Sequence, residues 1–208
     1  MSTIRLLRLL AGVGLVSAIA SGLPAHAAAV MVAVVDADGK PVAQAVVSVL
    51  VKGARAHAAP GTTAQIAQKE RQFQPQLTVI QTGTSVWFPN FDTVRHHVYS
   101  FSPIQRFELR LYAATPAAPV VFDKPGVALL GCNIHDRMQA AVVVVDTPYF
   151  AVTDAAGVAR LDLPAGEHRV RAWHEGLGES GAPVERPLAM ASGAAQLTIA
   201  LPRREGAP

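Results

Sequence analysis

Cysteine is nearly missing: the 208-residue chain has one, Cys132. An internal disulfide is therefore excluded, as are iron–sulfur clusters and four-cysteine zinc sites, which need several thiolates. Charge is scarce too, at 16% of residues against 50% hydrophobic, which excludes a disordered chain. The net +3 gives no reason to expect nucleic acid or an anionic membrane as partner. Taking Arg5 and Arg8 of segment 1–27 from the 18 basic residues leaves 16 against 15 acidic ones. After residue 35 no stretch approaches the ~20 apolar residues that span a bilayer. No segment carries a long apolar stripe at helical period. A G-x-S-x-G elbow, a phosphate-binding glycine loop and H-E-x-x-H are all missing, so the common hydrolase and nucleotide templates fail. Glycine and proline, 16 and 15 residues, lack a Gly-X-Y period, which excludes collagen and leaves turn-rich β structure.

The first residues have the layout of an export signal. Arg5 and Arg8 give a positive start, Leu9 to Ala20 is uncharged and apolar, and Ala25-His26-Ala27 supplies small residues at a cleavage position. A membrane anchor is the competing reading, but Pro24 and the β-like residues after Val30 favour cleavage. The expected location is a bacterial periplasm. A lone thiol in an oxidising compartment persists when it is buried or bound to metal.

Strand signals follow one another along the rest of the chain. Val30–Val35 is short, apolar and β-branched; Asp36 to Pro41 turns it into a second strand over Val42–Val51. Asp36-x-Asp38-Gly39 lacks the closing Glu of a calcium loop and reads as a hairpin turn. Lys52 to Gly61, rich in Ala, Gly and Pro, reads as a linker. Further strands are expected at 77–80, 85–88, 97–101, 107–111, 120–122, 127–130, 141–145, 150–153, 158–163, 168–174 and 196–201. The expected fold is an all-β sandwich.

Asp36-Ala37-Asp38-Gly39-Lys40-Pro41-Val42, then Thr153-Asp154-Ala155-Ala156-Gly157, then Leu163-Pro164-Ala165-Gly166, form a series of turn motifs. In these, segments 28–61 and 148–203 resemble the two ends of a carboxypeptidase-regulatory-like (transthyretin-like) sandwich, over about 90 residues.

The chemistry lies between them. Cys132, His135 and Met138 fall at C-x2-H-x2-M, between the strands expected at 127–130 and 141–145, and His96-His97 opens an upstream strand. A short loop between adjacent strands can aim three such side chains at one centre. Two imidazoles, one thiolate and a weak axial thioether are the donor set of a blue-copper site. Taken singly, the histidines read as edge-strand polar residues, Cys132 as a small buried hydrophobe and Met138 as core filling. Jointly they read as a metal site. Alternation sends neighbouring strand residues to opposite faces, so only one of His96 and His97 can face it. His57, His168 and His174 have no partners at useful spacing and are expected at the surface, as are Asp136 and Arg137.

Here the chain resembles the cupredoxins, of the amicyanin and plastocyanin-like kind. Val86-Trp87-Phe88-Pro89-Asn90 followed by His96-His97-Val98 is similar to their first-ligand segment, and Cys132, His135 and Met138 match the amicyanin ligand loop in spacing. Phe73-Gln74-Pro75, Leu77-Thr78-Val79 and Gly83-Thr84-Ser85-Val86 are similar to the cupredoxin opening, so the resemblance spans about 80 residues from Gln65 to Asp146. Two departures stand out. Ile134 precedes the second histidine where amicyanin has proline, and His97 stands where an asparagine normally ties to the cysteine loop. The resemblance implies a Greek-key β-sandwich over 62–147 and one type 1 copper ion on His96, Cys132, His135 and Met138, with His96 chosen over His97 by the motif match. It also implies electron transfer with transient redox partner proteins, no catalysis, and likeness to exported methylamine-utilisation proteins. A copper-delivery module and an open-site copper enzyme are the alternatives; a fixed Met138 argues against the second. The cupredoxin unit is expected to interrupt a discontinuous transthyretin-like sandwich of 28–61 and 148–203, with strand 30–35 or 43–51 pairing beyond Pro148. The alternative attaches 28–51 to the cupredoxin sheet.

Overall fold

The computed structural model describes residues 27–177, 181–191 and 193–203. The export segment expected over 1–27 lies outside them except for Ala27. Among the described residues there is no α-helix, and no helix is long and apolar enough to cross a membrane. A single 3-10 turn, Glu175–Leu177, interrupts the strands.

Two strands open the chain, β1 (Ala28–Val35) and β2 (Val46–Val51). The middle holds three short strands, β3 (Thr63–Gln65), β4 (Ala67–Lys69) and β5 (Gln72–Gln74). It continues with β6 (Leu77–Gln81), β7 (Thr84–Trp87), β8 (His96–Ser100), β9 (Phe107–Tyr112), β10 (Val120–Phe122), β11 (Gly126–Cys132) and β12 (Gln139–Val145). The remainder is β13 (Phe150–Val152), β14 (Val158–Leu163), β15 (Gly166–Trp173), β16 (Val184–Met190) and β17 (Ala195–Ala200). The all-β expectation holds.

In the middle segment a five-stranded sheet, ordered β6-β12-β11-β8-β9, faces a three-stranded sheet, β10-β7-β3, and the β4-β5 hairpin. Phe73, Val86, Phe88, Val98, Phe122, Leu130 and Val142 fill the space between them. The sequence parity of β12 explains its unbroken apolar run. Ala140, Val142 and Val144 enter this core, while Ala141, Val143 and Val145 pack outward with Val46 and Trp173. A strand covered on both faces needs no polar alternation.

The flanking segments meet each other. β1 pairs antiparallel with β14 and parallel with β17, and β2 lies between β13 and β15, with β16 beyond. Val30, Val32, Val47, Val49, Leu163, Val170 and Ile199 form the core between these two sheets. The chain leaves this pair of sheets after Val51 and returns beside it: Val49 N–H donates to Tyr149 C=O (2.8 Å), and Thr147 Oγ1 donates to Val49 C=O (2.6 Å).

Two local expectations need correction. β2 begins at Val46 rather than Val42, because Gln44 takes a left-handed φ of 58° that breaks the extended run, and the Thr153 side chain bonds the backbone on either side of it. Thr153 Oγ1 donates to Val42 C=O (2.7 Å) and accepts from Ala45 N–H (2.8 Å). His168, expected at the surface, is buried, with Nε2 bonded to Pro164 C=O (2.7 Å) across the turn that carries Gly166. Its neighbours Val170 and Ala172 point into a core, and His168 shares their face. His57 and Asp136 and Arg137 are exposed as expected, and His174 is half-buried.

Candidate metal centre

Strand parity aims the thiol. Ala128 and Leu130 of β11 point into the middle core, so Cys132, two and four residues on, points there too and is buried. On the neighbouring strand Val98 enters the same core, and His96, two residues earlier, follows it. Adjacent pairing of β11 with β8, Cys132 opposite Val98, brings the two side chains together. A bulge tightens this corner: between the His96–Tyr112 and Val98–Leu109 pairs, β9 spends three residues where β8 spends two. His135 comes from the turn after Cys132, which Met138 N–H closes by donating to His135 C=O (2.8 Å).

Cys132 Sγ lies 3.8 Å from His96 Nδ1 and 3.9 Å from His135 Nδ1, and the three donor atoms are all within 4.8 Å of one another. The two imidazole rings are 5.1 Å apart, centre to centre, and inclined at 51°. His96 and Cys132 are buried, whereas His135 is half-exposed. Met138 is 1% exposed and belongs to the same core cluster as Cys132. A first-row metal sits about 2.3 Å from a thiolate and about 2.0–2.1 Å from an imidazole nitrogen, which at an angle of about 120° separates them by about 3.8 Å. The two sulfur–nitrogen separations fit a metal shared between the thiolate and an imidazole at that angle. Soft sulfur with two imidazoles suits copper.

His97 faces away. Its Nε2 stands 2.9 Å from Glu108 Oε1 on β9, at ion-pair distance, and its ring meets Tyr99 edge-on at 6.2 Å. It therefore makes no tie to the cysteine loop of the kind an asparagine would supply at that position.

Several residues around His96 escape sequence reading. His96 Nε2 bonds Asp92 Oδ2 at 2.8 Å. Asp92 also accepts from Glu70 N–H at Oδ1 (2.7 Å) and from Arg71 N–H at Oδ2 (2.9 Å). Burial works against the ionised carboxylate, but the Arg71 amide, the His96 ring and the Glu70 amide outweigh it, holding Asp92 below its ordinary 3.8. Asn90, buried beneath the loop, donates to Val94 C=O (2.8 Å) and Tyr112 C=O (3.2 Å) and accepts from Asp92 N–H (2.9 Å). Tyr112 donates to Phe88 C=O (2.7 Å) and accepts from Gln68 Nε2. Burial pushes the Tyr112 hydroxyl up to about 12; the Gln68 bond opposes this and the Cys132 sulfur adds to it. The only sequence cue to this network is Asn90-x-Asp92 four residues ahead of His96, a common turn pattern.

No protein-family model matches the chain, and no curated protein matches it. Among solved structures the chain is similar to cupredoxins. A purple cupredoxin from Nitrosopumilus maritimus is 26% identical and covers 39% of this chain and 98% of its own, with a TM-score of 0.35. A reduced amicyanin variant is 17% identical and covers 47% of this chain and 97% of its own, at a TM-score of 0.36. An oxidised amicyanin variant gives 16%, 47%, 97% and 0.36 for the same quantities. The case for a metal rests on the donor geometry.

Proposed function

We propose that the protein is an exported type 1 copper protein that carries electrons in the periplasm. One copper ion would be held by His96 Nδ1, Cys132 Sγ and His135 Nδ1, with the Met138 thioether as a weak fourth donor. The observation that carries this reading is the convergence of one buried thiol and two ring nitrogens within 4.8 Å. Bound copper would supply a one-electron couple. The remaining work falls to the chain itself. The apolar cluster that holds Cys132, Phe88, Leu130 and Val142 keeps water from the buried thiol, and the β8–β11 pairing sets the separation of two donors. A frame that changes little between oxidation states favours fast exchange. His135, the half-exposed donor, is the edge through which electrons reach transient redox partner proteins, with Ile134 exposed beside it. A Met138 donor in the fourth position would leave no open place for a substrate, which favours an electron carrier over an enzyme.

In this reading residues 62–147 form the cupredoxin unit, inserted into a transthyretin-like sandwich of 28–61 and 148–203. The pairing of β1 and β2 with strands beyond Pro148, and the adjacent entry and exit at Val49 and Tyr149, support the insertion. The signal-like segment 1–27 supports export, and the combination resembles methylamine-utilisation proteins.

Voltammetry of the copper-loaded chain tests the reading. One copper per chain with a reversible one-electron wave is expected. Tight Cu(I) binding with no reversible wave would instead make the protein a copper-delivery module.

A further inference from the structure

The β4-β5 hairpin reverses through two residues, Glu70 and Arg71, both with φ of 57°. Two successive left-handed residues define a turn that normally takes Asn-Gly, and neither Glu nor Arg favours it. Backbone held in a sparsely populated region persists where its surroundings over-determine it. Here the turn's two amides both end on one carboxylate, that of Asp92. The strand before the turn is tied to the same loop: Gln68 N–H donates to Pro89 C=O (2.9 Å), and Phe91 N–H donates to Gln68 C=O (2.9 Å). Asp92 in turn bonds the ring nitrogen of His96 that faces away from Cys132.

We propose that Asp92 is a positioning residue of the metal centre: clamped by the Glu70–Arg71 turn, its carboxylate fixes the proton of His96 on Nε2, leaving Nδ1 as the donor beside Cys132, and its charge stabilises the more positive oxidation state. The oxidation-state half rests on the copper reading above; the tautomer half does not. An imidazole can present either nitrogen, and the hydrogen bond made by one decides which lone pair the other offers. A carboxylate in this place raises the basicity of the ligand, and losing it typically costs 10–100-fold in metal affinity. Because the lost charge acts more on the doubly than on the singly charged ion, Cu(II) affinity falls further than Cu(I) affinity. The potential therefore rises, by about 59 mV for each tenfold difference in a one-electron couple.

The test uses the full chain and the variants Asp92→Asn and Asp92→Glu. Asp92→Asn keeps an acceptor for His96 but removes the charge and the match to two amide donors. The expected result is Cu(II) affinity lowered at least tenfold more than Cu(I) affinity, with a raised potential. Asp92→Glu, which restores the charge, should bring the potential back toward that of the parent. A potential unchanged in Asp92→Asn, even with a lowered melting temperature, overturns the proposal, since anchoring the hairpin alone leaves the couple untouched. Should Asp92→Asn fail to fold, nitrogen-15 NMR of the metal-free parent decides. A His96 proton on Nε2 supports the assignment, and one on Nδ1 overturns it. A parent that binds no copper sinks the electron-transfer reading, while this NMR result still judges Asp92.

Discussion

Cys132 Sγ stands 3.8 Å from His96 Nδ1 although 36 residues separate them along the chain. Ordinary sheet geometry produces this meeting. Both residues occupy inward-facing positions near the ends of two antiparallel neighbours, β11 and β8, and His135 arrives on the turn that follows. Nothing in the core needs a thiol and an imidazole side by side; apolar side chains would fill that corner without burying polar atoms.

Cys132→Ala should leave a copper-treated protein without an intense visible band. Cys132 is the only thiol in the chain, so nothing replaces the sulfur-to-metal transition. A variant that stays coloured would place the chromophore elsewhere.

Met138→Leu should retain copper and raise the potential. In the proposed site the thioether would be a weak donor, and its removal favours the lower oxidation state. Leu is close in volume, so the buried position should tolerate it at under about 1.5 kcal/mol. Redox titration of parent and variant measures the shift; equal potentials would assign Met138 to core packing alone.

Trp173 packs with Val46 against Ala141, Val143 and Val145 on the outer face of β12, coupling the two sets of sheets. Trp173→Ala should destabilise the protein by about 3–5 kcal/mol, as large core truncations do. Denaturant unfolding followed by far-ultraviolet circular dichroism checks this. A loss below about 1 kcal/mol would mean that the coupling surface carries little of the stability.

Tyr112 supplies a pH signature. Its hydroxyl titrates near about 12 in the folded protein against an ordinary 10.0. Between these values the unfolded chain has released the proton and the folded chain still holds it. Stability from this group is thus complete below about pH 10 and declines as pH rises toward about 12. Tyr112→Phe should flatten that decline and cost about 0.5–1.5 kcal/mol at neutral pH through the lost bond to Phe88. Melting temperatures across the alkaline range report both effects.

The strands that frame the site were legible because each carries a β-branched or alternating run between turn residues. Val120–Phe122 and Val158–Leu163 have the expected bounds, and the strands expected at 127–130 and 141–145 lie inside β11 and β12. Parity then separated His96 from His97 in principle, and the structure puts one beside Cys132 and the other beside Glu108. The short strands β3, β4 and β5 left no such trace, being three residues each and mostly polar. β16 was hidden by Pro187 and Arg186; as the edge strand of its sheet it can hold a proline without losing a central ladder bond. Asp92 was illegible for another reason. Its role comes from the amides of Glu70 and Arg71, 22 and 21 residues upstream, which no local pattern connects to it. The burial of His168 similarly depends on a turn carbonyl, not on residue type.

The visible spectrum of the purified chain, taken during titration with Cu(II), decides whether Cys132 binds copper as a thiolate. A copper–thiolate site gives an intense thiolate-to-copper band that saturates at one equivalent and bleaches on addition of a reductant. A spectrum showing only the weak bands of copper bound to nitrogen and oxygen would contradict it.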